Sequence, residues 1–331
     1  MKKRICCFIL AFILIAVCQT GCGKKGNGMK KVVLNEVAHS IFYAPQYVAI
    51  EMGYFKDAGI DLVLETGFGA DKTMTALISG NADIGFMGSE STIYAYAEGS
   101  KDYAVNFAGL TQRAGNFVVA RENTDSFSYE DMIGKDVLGG RAGGTPEMVY
   151  EYVLRENGVS PSEVKIDQSI DFGSTAAAFS GGQGDYTIEF EPSATALEQS
   201  GDGYVVASIG VDSGYLPYTA FCAKESYLKE NADLIQHFTN ALQKGMDYVA
   251  GHSPEEIASV IAPQFSETDL KTLTLIVSRY YDQETWNTDL ILREEGYDLM
   301  LTILEESGVL SGAAPYEDLV NTDFAEKAST L

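Results

Sequence analysis

Two carboxylates flank an aromatic residue in "DYTIEFE" (Asp185–Glu191), where Glu189 and Glu191 stand on either side of Phe190. Side chains two apart on a strand share one face. Such a pair can act as general acid and base. It can equally accept hydrogen bonds from a ligand amine, or stand in solvent. A second group is His39 with Phe42 and Tyr43 in "AHSIFYAP" (Ala38–Pro45). The rings can stack on a planar ligand while the imidazole donates or accepts at its edge. The plainer reading is a satisfied histidine beside core aromatics.

"GRAGGTPE" (Gly140–Glu147) is built like the start of a helix. Gly143 and Gly144 allow close backbone approach, Thr145 suits the cap, Pro146 the first turn, and Glu147 complements the helix dipole. Free N–H groups at such a start can meet an acceptor, or the segment is simply a well-capped helix. No lysine follows in Walker spacing, so it is not a phosphate loop. Arg113 in "LTQRAGN" can clamp an anion or bridge two units of the chain.

Signals for enzyme chemistry are thin. Histidine occurs only at positions 39, 237 and 252. No G-x-S-x-G, H-E-x-x-H, C-x-x-C or dinucleotide-binding glycine pattern falls in a fitting context. No catalytic residue, metal site or cofactor is expected. Of the five cysteines, Cys6, Cys7, Cys18 and Cys22 lie near the N-terminus, and Cys222 sits in apolar "LPYTAFCAKE". Such a setting favours a buried, inert thiol.

The elements that would carry these residues alternate. Strands are expected at Lys30–Val37, Ile60–Thr66, Ala82–Gly88 and Tyr103–Thr111, with helices at Ala44–Gly53, Ala70–Gly80 and Glu90–Gly99 between them. The pattern restarts with strands at Asn116–Glu122, Lys135–Gly140, Glu163–Ile170, Asp185–Glu191 and Tyr204–Gly210, and a helix at Thr145–Gly158. Beyond "LPYTAFCAK" the chain is mostly helical, near Glu225–Gly251, Pro254–Ile261, Glu267–Arg279 and Leu290–Ser307. Alternation of this kind implies largely parallel sheets. Two α/β units follow, the second inserted in the first, with the last helices returning to cover unit one.

In open α/β sheets ligands bind beyond the carboxyl ends of the strands. The loops there add Phe68 and Gly69 in "GFGAD", Ser89 and Glu90 in "GSES", Gln112 beside Arg113, and Tyr218 in "GYLPY" to the candidate ligand contacts. They mix aromatic, hydroxyl, amide and glycine residues, as small-molecule pockets do.

The chain has 331 residues, 46% hydrophobic and 21% charged, with a formal net charge of −24. These values describe a globular protein, and the acidity argues against a nucleic-acid partner. The N-terminus reads as a basic "MKKR", a short apolar run Ile5–Cys18, and "QTGC" ending at Cys22. The apolar run is short for a membrane span. It resembles a bacterial lipoprotein leader, with Gln19 where an aliphatic residue is usual. The resemblance implies a signal peptide over residues 1–21, acylation of Cys22 and a tether over 22–29. An uncleaved N-terminal anchor is the alternative. Either way the remainder lies outside the cytoplasm.

"FYAPQYVAIEMGYFKDAGIDLVLE" (Phe42–Glu65) followed by "TALISGNADIGFMG" (Thr75–Gly88) resembles the solute-binding proteins of ABC importers. The group is the one for nitrate, alkanesulfonates, taurine and thiamine precursors. Its Gly-Tyr-Phe, Gly-Ile-Asp and Gly-x-x-Asp-Ile-Gly signatures stand at Gly53–Phe55, Gly59–Asp61 and Gly80–Gly85. Glu191-Pro192 and "MIGKDVLGG" resemble further family positions. The resemblance implies a type II periplasmic-binding-protein fold: two lobes, each a mainly parallel sheet flanked by helices, with the ligand cleft between. Lobe 1 would comprise 30–115 and 221–331, and lobe 2 would comprise 116–220, with crossing segments near Thr111–Phe117 and Leu216–Cys222.

It further implies a monomer that closes on its solute and docks on the transmembrane subunits of a permease. "HSIFYAPQYVA" is nearer the thiamine-precursor branch, so a planar, pyrimidine-like heterocycle is the leading ligand, its amine facing Glu189 and Glu191. That branch includes a eukaryotic pyrimidine-making enzyme whose cysteine-rich iron motif this sequence lacks. The runner-up is an organic or inorganic anion held by Arg113 and the Gly143–Pro146 helix start. A secreted enzyme using Glu189 and Glu191 is the remaining alternative.

Overall fold

Strand segments with few turn signals inside them assemble here into two separate five-stranded sheets. The computed structural model describes residues 28–331, apart from positions 100, 125, 171, 311 and 313 and the side chain at 172. The leader, the acylation candidate Cys22 and most of the tether lie outside the described residues. Residues Lys31–Leu331 form one compact unit.

The first sheet has the order β2-β1-β3-β10-β4, from β1 (Lys30–Glu36), β2 (Ile60–Thr66), β3 (Ile84–Gly88), β4 (Ala104–Thr111) and β10 (Thr219–Lys224). The second has the order β7-β6-β8-β5-β9, from β5 (Asn116–Ala120), β6 (Asp136–Leu138), β7 (Lys165–Asp167), β8 (Tyr186–Phe190) and β9 (Tyr204–Ser208). Parallel pairing holds where helices intervene: β1 with β3, and β6 with both β7 and β8. One strand in each sheet runs the other way. β10 is antiparallel to β3 and β4, and β5 is antiparallel to β8 and β9. These are the two strands entered directly from the other sheet, through residues 112–115 and 209–218, with no full crossover helix to restore direction.

Local sequence explains the main helices. Pro45 occupies the first turn of α1 (Ala44–Glu51). Further helices are α2 (Ala70–Ser79), α3 (Glu90–Ala97) and α4 (Thr145–Glu156). Two helices appear where loops are expected, α5 (Phe172–Ser180) and α6 (Ser193–Ser200). The alanine content of 176–178 favours the first of these. The C-terminal group contains α7 (Ala232–Gly251), α8 (Pro254–Ile261), α9 (Leu270–Asp282) and α10 (Glu294–Glu306). Ser253 and Glu256 form a reciprocal cap on α8, and Asp269 caps α9 through the Lys271 and Thr272 amides. The Asp269 cap starts α9 later than the apolar pattern suggests.

The core of the first sheet is aromatic. Phe86 stacks on Phe221 at 4.2 Å, and Phe238 of α7 meets Phe221 edge-on at 5.6 Å. Beside them Cys222 is fully buried, and burial pushes its thiol up to about 12. The last helices do more than cover the first sheet. Gln283 at the end of α9 donates to the Ala114 carbonyl at 3.1 Å and accepts from Ser208 Oγ at 2.7 Å. Arg155 of α4 bonds Glu306 of α10 at 2.9 Å. The two segments that join the sheets touch each other at Gly210, where a Cβ would lie 2.2 Å from the Ala114 carbonyl. Only glycine fits there without moving one of them.

Candidate functional site

The carboxyl ends of β1 and β3 face the loops of the second sheet across a cavity of about 950 Å³. Its walls come from both sides: residues 37–43, 70–75, 88–98 and 218–219 from the first, and residues 143–146, 173 and 190–193 from the second. This is the volume of a small-molecule site.

Nine of the residues singled out in the sequence line it: His39, Phe42, Tyr43, Glu90, Gly143, Gly144, Thr145, Glu191 and Tyr218. Three buried rings form one wall. Phe42 lies 5.5 Å from Tyr43 and meets Tyr218 edge-on at 5.8 Å. Trp286 Nε1 fixes this wall from behind by donating to the Phe42 carbonyl at 2.9 Å.

His39 lines the cavity, but both ring nitrogens are already engaged. Nδ1 faces Glu36 Oε1 at 2.9 Å, and Nε2 faces the Gln264 carbonyl at 3.0 Å. With acceptors on both sides the ring favours the imidazolium, and the Glu36 carboxylate raises its pKa above the usual histidine value. Glu36 is fully buried and also accepts from Gln46, Tyr47 and Thr66. The histidine edge is therefore spent on holding β1 to the C-terminal helices. Its ring packs between Tyr47 and Phe265.

Glu189 and Glu191 do not converge. Glu189 is buried off the cavity and accepts from Thr187 Oγ1 at 2.6 Å, and burial pushes its carboxyl up to about 7. Glu191 stands just past β8, follows its own course into the cavity and is held by others. Arg279 reaches it at 2.5 Å, and the Thr195 amide and hydroxyl donate at 3.0 and 2.9 Å. The same Arg279 also pairs with Glu198.

Arg113 and Gln112 sit on the joining segments rather than on this cavity. The Arg113 guanidinium donates to the Gly210 and Val211 carbonyls at 3.0 and 3.1 Å, pairs with Glu284 and lies 4.0 Å over the Tyr215 ring. Gln112 donates to the Glu284 carbonyl at 3.0 Å and borders a second hollow of about 710 Å³. Ser89 is buried and its hydroxyl donates to the Pro217 carbonyl. Phe68 is 77% exposed with φ of 55°, and Gly69 next to it has φ of 142°. Neither is on the cavity wall, although Ala70 and Asp71 are.

The strongest unsatisfied group is Glu90. It is 6% exposed, and burial raises its carboxyl above the ordinary range. Oε1 accepts a long bond from Ser91 Oγ at 3.4 Å, and Oε2 has no partner. Thr145 Oγ1 approaches from the second sheet and favours the ionised form, but outside hydrogen-bond geometry; it too is unpartnered. The hydroxyls of Tyr94 and Tyr218 complete a set of four orphaned polar atoms around one space. Tyr94 escaped the sequence reading. Its spacing from Glu90, four residues along a helix, was the available signal. Arg279 was also missed, because its partners lie 81 to 88 residues away.

Two sheets joined by two short segments, with a lined space between them, are the arrangement of the periplasmic-binding-protein fold. The chain belongs to the NMT1/THI5-like family, whose model matches residues 41–257. It is 44% identical to YtlA of Bacillus subtilis (strain 168) over 93% of this chain and 92% of that protein. It is 25% identical to 4-amino-5-hydroxymethyl-2-methylpyrimidine phosphate synthase of Candida albicans (strain WO-1), over 88% and 89% of the two chains. Among solved structures it resembles the periplasmic aliphatic sulphonate binding protein SsuA of Escherichia coli, with a TM-score of 0.72, 15% identity and coverage of 91% and 99%. At that identity the likeness speaks for the fold, which is that of periplasmic binding proteins.

Proposed function

We propose that this chain is the extracytoplasmic, lipid-anchored receptor of an ABC importer. It captures a small planar heterocycle, related to the pyrimidine precursors of thiamine, and delivers it unaltered to a membrane permease. The observation that carries this reading is the cavity between the sheets: an aromatic wall of Phe42, Tyr43 and Tyr218, with four unpartnered polar atoms on residues that line the same space, Glu90, Tyr94, Thr145 and Tyr218. Flat apolar walls with a few aimed polar groups are what a ring with polar substituents requires.

The likeness to a pyrimidine phosphate synthase supports a pyrimidine-like ligand. An anionic solute fits less well. Among the described residues no lysine or arginine lines the cavity, and Arg113 is committed to the joining segments. Acid–base chemistry by Glu189 and Glu191 also fits less well, since the two carboxyls have separate partners. "QTGC" supports acylation at Cys22.

The experiment is a thermal-shift screen of pyrimidines, vitamins, sulfonates and nitrate, followed by calorimetry and recovery of the ligand. A planar heterocycle is expected to raise the melting temperature by mass action, bind one to one and return intact. A sulfonate or nitrate as the tight ligand, or a chemically altered heterocycle, would overturn the reading. In a bacterial host Cys22→Ser is expected to shift the protein from the membrane fraction to the soluble one. Unchanged membrane association would remove the lipid anchor.

A further inference from the structure

The cavity has an unusual charge balance for a fold whose solved relatives include an anion binder. Among the described residues four carboxylate side chains line it (Asp71, Glu90, Glu98 and Glu191), with no lysine or arginine. His39 is the one basic group among the described lining residues, and its two nitrogens are spent on Glu36 and Gln264. Glu191 is offset by Arg279. Among the described residues Glu90 has no ion-pair partner, although it is only 6% exposed and lines the same space as the aromatic wall.

We infer that the solute is an organic cation: a planar ring carrying a positive charge, stacked on Phe42, Tyr43 and Tyr218, with Glu90 as its counter-ion. The inference rests on the solute-binding reading and names the charge of the solute.

Three physical arguments support it. A buried carboxylate with no positive partner is costly, and the cost is relieved by protonation or by a matching charge. In the unliganded protein burial shifts the balance toward the first, raising the Glu90 carboxyl above its ordinary range. The titratable groups facing it are Tyr43, Tyr94 and Tyr218, each kept neutral by burial, so none of them competes for a cation. Ser91 and Thr145 offer only hydroxyl dipoles. A positive ring entering this space favours the carboxylate form of Glu90 and releases to solvent whatever proton it held. Second, aromatic faces attract cations, most strongly where water is excluded. Third, Gly88 makes room for the carboxylate. A Cβ at that position would lie 2.2 Å from Glu90 Oε2, so the glycine leaves room for the charged end to fold back over β3 at the cavity edge.

The test uses rings of one shape and three charges: 1-methylnicotinamide, nicotinamide and nicotinate. A second set consists of an N-methylated aminopyrimidinium and its neutral parent. Thermal shift ranks them and calorimetry measures them on the full chain. The cation of a set is expected to bind at least about tenfold more tightly than its neutral isostere, the scale of one charge-assisted contact. Glu90→Gln is expected to abolish that preference by weakening the cation at least about tenfold more than its neutral isostere.

Wild-type affinity for 1-methylnicotinamide is expected to weaken as pH falls and Glu90 takes up its proton, with nicotinamide unaffected. This readout stands even if the variant folds poorly. A neutral or anionic ring that binds as well as the cation, a cation affinity indifferent to both pH and Glu90→Gln, or no shift with any cation would each overturn the inference. Tight one-to-one binding of a neutral ring would overturn the charge assignment and leave the solute-binding reading standing. Conversion of the ring would overturn both.

Discussion

A hydroxyl that is buried, unbonded and turned toward a cavity contributes little to folding, and its value lies in what enters the cavity. Tyr218 is 5% exposed with no partner for its hydroxyl. Leaving a polar group in that condition costs roughly 1–3 kcal/mol. Tyr218→Phe keeps the ring and removes the cost. The variant is expected to melt at or above the wild-type temperature while losing ligand affinity about tenfold, the scale of one lost hydrogen bond. Calorimetry and thermal melts on the same preparation read both. A fall in stability would mean that the hydroxyl is satisfied in the folded protein.

His39 teaches the opposite lesson. Its type and its aromatic neighbours invite a ligand role, but its bonding partner Gln264 lies 225 residues away. No local pattern carries that information. Residue types placed Phe42, Tyr43, His39 and Glu191 at the cavity wall. They did not report that distant elements claim the side chains of His39, Arg113 and Glu191.

Among the elements, α9 has the widest reach. Tyr280 donates to the Gly115 carbonyl at 3.1 Å and packs 5.1 Å from Phe42, Gln283 holds the Ala114 carbonyl, and Arg279 joins Glu191 to Glu198. This helix fastens the joining segment 112–115 and the rim of the second sheet in one grip. Removing Arg279 leaves the Glu191 carboxylate uncompensated with its side chain fully buried. Arg279→Ala is expected to destabilise by roughly 3–5 kcal/mol. Arg279→Lys keeps one charge but cannot fork between two carboxylates, and falls between. Denaturant melts of the three proteins check the order; a wild-type midpoint for the alanine variant would remove the grip.

Strand and helix alternation was legible from apolar runs and from Pro and Gly punctuation, as at Pro45, Gly53 and Pro254. The reversal of β5 and β10 was not. Period and composition report which face of a segment is buried and are silent on its direction. Direction is set by the missing helix in each passage between sheets.

The molecule as a whole titrates in one sense around neutrality. Burial raises Glu189 to about 7, and burial with the neighbouring Glu151 does the same for Glu147. The Glu36 carboxylate raises His39. In each case the folded state binds its proton more tightly than the unfolded chain. The stability these groups supply is complete below their unfolded values and is lost as pH climbs through the folded ones. At the acid end the caps act in reverse. Thr272 and the Ser253 amide hold Asp269 and Glu256 below their ordinary values, and that stability is lost as pH falls. Melting temperature is therefore expected to peak near pH 5 and to decline toward pH 8, a trend reinforced by a net charge of −24. Glu147→Gln and Glu189→Gln should each flatten the decline. A peak at or above pH 8 would contradict the assignment.

The single sulfhydryl of the described residues, Cys222, lies at full depth in the strand that returns to the first sheet. A chain that starts at Lys30 carries no other thiol. Such a chain holds a built-in clock. An alkylating reagent can reach the sulfur only after β10 has parted from its neighbours, so the pace of labelling counts how often the sheet comes open. Ligand should slow that pace in proportion to its hold on the native form, making the labelling rate an occupancy gauge that requires no attached dye.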